Sequence, residues 1–98
     1  MSERPFSSLQ SLISSSSPNV IIETIKRAED GEGIIVRLYE SQRKRGPVRL
    51  TTGFPVEAAW ETNLLEENET ALRVENDAIQ LELKPYQIMT LRLKPISR

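Results

Sequence analysis

The 98-residue sequence contains no cysteine and no histidine. Without cysteine there is no disulfide framework, no thiolate metal site and no thiol nucleophile. Without histidine there is no imidazole base and no histidine-ligated zinc. An excess of one charge is missing too. Against 14 acidic residues stand 13 basic ones, so the chain as a whole is no polyanion binder. Long apolar runs are absent. The stretches Val20–Ile22 and Ile34–Val36 fall far short of the ~20 residues a membrane-spanning helix needs. The opening Met1-Ser2-Glu3-Arg4-Pro5 lacks the basic-then-apolar order of a signal peptide. These absences lead us to expect a soluble cytoplasmic protein, or a piece of one, with neither nucleic acid nor membrane as partner. At this length one domain is expected, with little room for both a core and a deep cleft.

What is present begins with serine. Residues 1–17 carry the run Ser14–Ser17 and read as a Ser-rich linker. Within it Leu9, Leu12 and Ile13 could supply one short edge strand. Pro18-Asn19 marks a boundary, and residues 18–98 form the domain proper.

From Val20 onward short apolar stretches alternate with turn residues. Val20–Arg27 and Ile34–Tyr39 are β-branched runs flanking Asp30-Gly31-Glu32-Gly33, which predicts a hairpin. Ser41–Pro47 is a polar loop, and Val48–Thr52 alternates as a strand does. Val56–Glu67 supports two readings. Val56, Ala59, Trp60, Asn63 and Leu64 recur at helical spacing; alternatively Val56–Trp60 and Asn63–Glu66 are strands around a turn. Later, Leu72 and Val74, then Ile79, Leu81 and Leu83, then Met89, Leu91 and Leu93 alternate with polar residues, with a turn at Asn76-Asp77. The pattern predicts an all-β fold: a small antiparallel β-sandwich, immunoglobulin-like, of about seven to nine short strands.

Chemistry-bearing constellations are sparse. Glu66-Glu67-Glu69 and Glu29-Asp30-Glu32 are carboxylate clusters. Neighbours on a strand point to opposite faces, and nothing signals the apolar pocket a catalytic acid needs; both read as solvated faces. Neither has the spacing of a calcium loop. The basic loop Arg43-Lys44-Arg45, with Arg49 beyond it, reads as a solvated tip or one that docks on an acidic neighbour. The five aromatics are Phe6, Tyr39, Phe54, Trp60 and Tyr86. A lone Trp60 reads as a core or interface anchor, or as a platform for a sugar ring.

The order of the segments carries a resemblance. Pro18-Asn19-Val20 leads to Lys26, then to Asp30-Gly31-Glu32-Gly33 and Arg37-Leu38-Tyr39-Glu40. Later come Asn63-Leu64-Leu65-Glu66 and the closing Lys84-Pro85-Tyr86-Gln87-Ile88-Met89-Thr90 strand. This succession, over roughly residues 18–94, resembles the extreme C-terminus of α-mannosidases of glycoside hydrolase family 38. Gln87 stands where that family often has Glu. The resemblance implies a non-catalytic C-terminal β-sandwich that packs on and supports a catalytic domain. It tips Val56–Glu67 from helix to strand. It implies a parent that hydrolyses terminal α-mannosides with retention, holding a zinc-like divalent metal in its catalytic domain and no cofactor in this chain. No catalytic or metal-binding residue is therefore assigned here. Candidate interdomain contacts are Arg37, Tyr39, Trp60, Arg43, Lys44 and Arg45, with an α-mannoside substrate at the rim of the parent's cleft. A stand-alone carbohydrate-binding module, or a protein-interaction module centred on the basic loop, is the alternative.

Overall fold

The computed structural model describes residues 13–75 and 78–96, which form eight strands and no helix. In chain order these are β1 (Ile13–Ser15), β2 (Val20–Arg27), β3 (Ile34–Glu40), β4 (Gly46–Thr52), β5 (Val56–Thr62), β6 (Asn68–Glu75), β7 (Ala78–Leu83) and β8 (Ile88–Pro95). Their hydrogen-bonded order is β1-β4-β7-β6-β5-β8-β3-β2, antiparallel throughout.

Strand β6 turns this order into two layers. Its first part pairs with β5, from Asn68 to Leu72; its last part, Arg73 to Glu75, pairs with β7. The larger layer is thus β2-β3-β8-β5 with the start of β6, and the smaller is β1-β4-β7 with its end. Alternate side chains meet between them. Val36, Leu38, Leu91 and Leu93 from the larger layer are buried with Leu50, Ile79 and Leu83 from the smaller. Burying each such side chain contributes about 1.5–3 kcal/mol. That makes this apolar alternation the main source of the fold's stability.

The predicted β2–β3 hairpin is present, and its glycines have different reasons. Gly31 and Gly33 both adopt positive φ, 78° and 92°, where glycine meets no Cβ penalty. Gly33 also passes close to β8: a Cβ there would lie 2.5 Å from the Leu93 carbonyl oxygen.

Val56–Glu67 is β5 followed by a loop at residues 63–67. The helical spacing arises from a bulge between Val56 and Ala58, which interrupts the period of two. Asn63–Glu66 is not a second strand; β6 begins at Asn68. The Ser-rich segment enters the fold at Ile13, which pairs with Thr52 and is buried in the core. Leu9, Leu12, Phe6 and the Asn76-Asp77 turn lie outside the described residues.

Candidate functional site

Along β8, Met89, Leu91 and Leu93 point into the core. Alternation therefore sets Ile88, Thr90, Arg92 and Lys94 on the outer face of the larger layer. An arginine in that position is ordinarily solvated, yet Arg92 is 5% exposed. The β2–β3 turn and the 63–67 loop both fold over the face and meet on its guanidinium. Nη1 donates to Asp30 Oδ1 at 2.9 Å and to the Glu32 carbonyl. Nε donates to Asn68 Oδ1 at 2.9 Å, and Nη2 to the Glu66 carbonyl. A rigid planar fork can hold four acceptors, from the turn, the loop and the first residue of β6; a lysine cannot. The two loops also explain why Ile35, on the same face beside Lys26 and Arg92, is 1% exposed.

Glu66 closes the clamp. Its backbone is left-handed, with φ 65°. Its carboxylate accepts from Lys26 Nζ at 2.8 Å and from the Glu29 amide at 2.7 Å. These bonds hold the Glu66 carboxyl below its ordinary value against the opposing effect of burial. The same carboxylate, with Glu29, holds Lys26 above its own. Arg92, then the Glu32 amide, lower Asp30 likewise. The solvated-face reading of Glu66 is therefore corrected: it is 8% exposed. The pair sits in a loop, so Glu66 turns inward while Glu67 stays in solvent.

Asn63 shapes this loop. Its Oδ1 accepts from the amides of Leu65 and Glu67 at 2.8 and 3.0 Å, and its Nδ2 donates to the Glu67 carboxylate. The tip so fixed presents Leu64 and Leu65, each 77% exposed. Beneath it a cleft of about 400 Å3 is lined by Trp60, Leu65, Asn68, Arg92 and Lys94, among others.

Beyond the clamp the same face turns apolar. Ile21, Tyr39 and Ile88 stand in register across β2, β3 and β8. Tyr86 borders them in a shallow cleft with Tyr39 and Ile88. Its position is set by Glu40, which is buried at the end of β3. Glu40 Oε1 accepts from the Tyr86 amide at 3.0 Å, and Oε2 from Asn19 Nδ2 and the Gln42 amide at 2.8 and 2.9 Å. Burial pushes the Glu40 carboxyl up, but these donors and the Lys44 amide outweigh it and bring it to about 2.

The structure gathers three of the predicted contact residues onto the outer face. Arg37 lies between Thr24 and Thr90, Tyr39 between Ile21 and Ile88, and Trp60 opposite Arg92. The basic loop is not on that face. Arg43, Lys44 and Arg45 are exposed past the end of β3, where Lys44 and Arg45 line a separate cleft of about 190 Å3 with Ser17 and Asn19. Sequence reasoning missed Arg92, Glu40 and the leucine pair as site residues. For Arg92 and Glu40 the one available signal was a charged residue in an alternating strand, and it reads equally as surface. Among the described residues no three carboxylates converge to hold a metal ion.

Comparison with known proteins accounts for the order of these segments. The family model of the glycosyl hydrolases family 38 C-terminal beta sandwich domain matches residues 19–91. Alpha-mannosidase 2C1 of Mus musculus is 34% identical over 88 residues, covering 85% of this chain and 8% of the relative. The Homo sapiens protein of that name is 33% identical over the same coverage. Alpha-mannosidase G of Dictyostelium discoideum is 34% identical over 103 residues, covering 94% of this chain and 9% of the relative. The chain thus spans less than a tenth of the length of these relatives. With its eight antiparallel strands and a match over most of its length, the chain belongs to the glycosyl hydrolase family 38 C-terminal β-sandwich domains.

Proposed function

We propose that this chain is the non-catalytic C-terminal domain of an α-mannosidase, and that it supports the catalytic domain by packing the outer face of its larger layer on it. One observation carries this reading. Of the six large apolar side chains exposed among the described residues, Ile21, Leu64, Leu65, Tyr86 and Ile88 stand on, over or beside that face. The sixth, Ile96, lies just past the end of β8. Apolar side chains concentrated on one face mark an interaction site, and the aromatic and arginine neighbours Tyr39, Trp60 and Arg37 suit an interface.

In this reading the parent is a cytoplasmic enzyme, in keeping with the absent cysteines. It hydrolyses terminal α-mannosides with retention through two carboxylates. The divalent metal belongs to the parent's catalytic domain. Arg43, Lys44 and Arg45 reach toward the rim of the cleft where an α-mannoside enters.

The test uses mouse alpha-mannosidase 2C1 shortened before the matched segment. This chain alone should release no product from an aryl α-mannoside, and adding it should raise the thermal midpoint of the shortened enzyme. Turnover by the homogeneous chain, or an unchanged midpoint, would sink the reading.

The Trp60 cleft favours a second reading, a carbohydrate-binding module, because an indole face beside an amide and an ammonium suits a pyranose ring. NMR titration with methyl α-mannoside decides it: shift changes clustered at Trp60, Asn68 and Lys94 support sugar binding.

A further inference from the structure

The 63–67 loop displays two adjacent leucines to solvent, each 77% exposed, and holds them there. Surface loops with apolar tips are free to fold those tips back. This one is not. Asn63 and Glu67 close it with a backbone bond and three side-chain bonds. Glu66 is turned into a left-handed conformation so that its carboxylate reaches Lys26 and the Glu29 amide. Arg92 binds the Glu66 carbonyl from below. The hydrogen bonds that order the loop leave both leucine side chains in water and so forgo the stabilisation their burial would bring. A second body that covers them would recover it.

We infer that Leu64 and Leu65 are a two-residue plug that anchors the docking of the outer face. The socket is on the remainder of the mannosidase chain, the part that makes up over nine-tenths of the relatives' length. The inference rests on the packing reading above and adds which contact holds it. The chemistry of the socket follows from the plug's surroundings. Its floor is apolar, to accept both leucines. Its rim is basic, because the exposed Glu67 and Glu69 follow the tip directly in sequence, whereas Glu66 is already paired with Lys26. The apolar rank Ile21–Tyr39–Ile88 lies farther along the face and serves as a second, flatter contact.

The binding partner for the test is mouse alpha-mannosidase 2C1 shortened before the matched segment, titrated calorimetrically with this chain. Two double variants are compared, L64S/L65S and Y39S/I88S. All four positions are solvent-exposed or half-buried, so circular dichroism and the unfolding midpoint of each variant chain should match the parent chain. Burial of one leucine changes affinity by about ten-fold or more, so the leucine variant should weaken binding by at least about that factor, and more than the Y39S/I88S variant does. Raised salt should weaken the parent chain's binding, because the rim is charged. If the leucine variant binds unchanged while the Y39S/I88S variant is weakened, the plug is wrong and the packing reading stands. If neither variant is weakened, or the parent chain does not bind at all, the packing reading falls and the plug with it.

Discussion

Arg92, in the middle of β8, donates to the main-chain carbonyl of Glu66, separated from it by 26 positions in sequence. The bond fastens a loop to a strand from beneath, through a side chain that alternation would assign to solvent. It also joins two hydrogen-bonded groups, since the same guanidinium holds Asp30 and the Glu32 carbonyl.

Replacing Arg92 by methionine keeps the apolar stem and removes every donor. Carbonyls left without a partner in a buried site cost about 1–3 kcal/mol, so Arg92→Met should lower the free energy of unfolding by roughly that amount. Hydrogen exchange should rise together at residues 28–33 and 63–67. A loss of stability with those two loops still protected would show that Arg92 acts only as packing.

Acid should destabilise the domain through Glu40. Its folded pKa of about 2 lies below the ordinary 4.5, so the native state binds fewer protons than the unfolded chain between these values. The stabilisation is complete above pH 4.5 and is lost as pH falls toward 2. Asp30 and Glu66 are lowered too and add in the same direction. Thermal midpoints measured from pH 7 to pH 2 should therefore fall on the acid side, and Glu40→Gln should start lower at pH 7 and fall less. An identical acid slope in that variant would rule Glu40 out as a contributor. Lys26 runs the other way: raised above 10.5, it sustains its contribution at neutral pH and loses it only in stronger alkali.

The two turn glycines should respond unequally to alanine. At Gly31 the added Cβ meets nothing within 4 Å, so only the positive φ opposes it. At Gly33 the same φ penalty is joined by collision with the Leu93 carbonyl oxygen. Gly31→Ala should cost about 1 kcal/mol and Gly33→Ala distinctly more. Urea unfolding of both variants checks the order; equal losses would mean that β8 yields without cost.

Neighbouring faces of β8 should differ just as sharply. Leu91 is fully buried in the core, and Leu91→Ala should cost about 2–5 kcal/mol. Ile88 is exposed, and in the chain by itself Ile88→Ser should change stability by less than about 0.5 kcal/mol. A large loss at Ile88 would place a contact on that face within the chain itself.

Much of this was legible in the sequence because the core obeys a period of two. The hairpin around Gly31 and Gly33, the strand at Val48–Thr52 and the closing strand at Met89–Leu93 all follow from it. Where the period breaks, reading failed. The bulge between Val56 and Ala58 mimics a helix, and the loop after Thr62 owes its form to Asn63 hydrogen bonds that no hydropathy pattern encodes. Residues of the outer face were partly legible. Arg37 and Tyr39 share it by alternation, but Trp60 joins them only through β8, a neighbour distant in sequence. Arg92 and Glu40 were hidden for one reason: burial of a charge depends on which loops converge on it, and that is set by topology.

The division of β6 between two layers bears on how this domain survives alone. That strand passes from β5, paired over residues 68–72, to β7, paired over residues 73–75, so the ends of the strand order are β1 and β2. Strand β1 is only three residues long. Strand β2 is bent by a bulge at Glu23, a residue whose carboxylate would have to be desolvated by any incoming strand. Short, kinked and charged margins are poor templates for strand addition. Those two end strands therefore resist strand addition, which leaves the apolar outer face as the surface better suited to association.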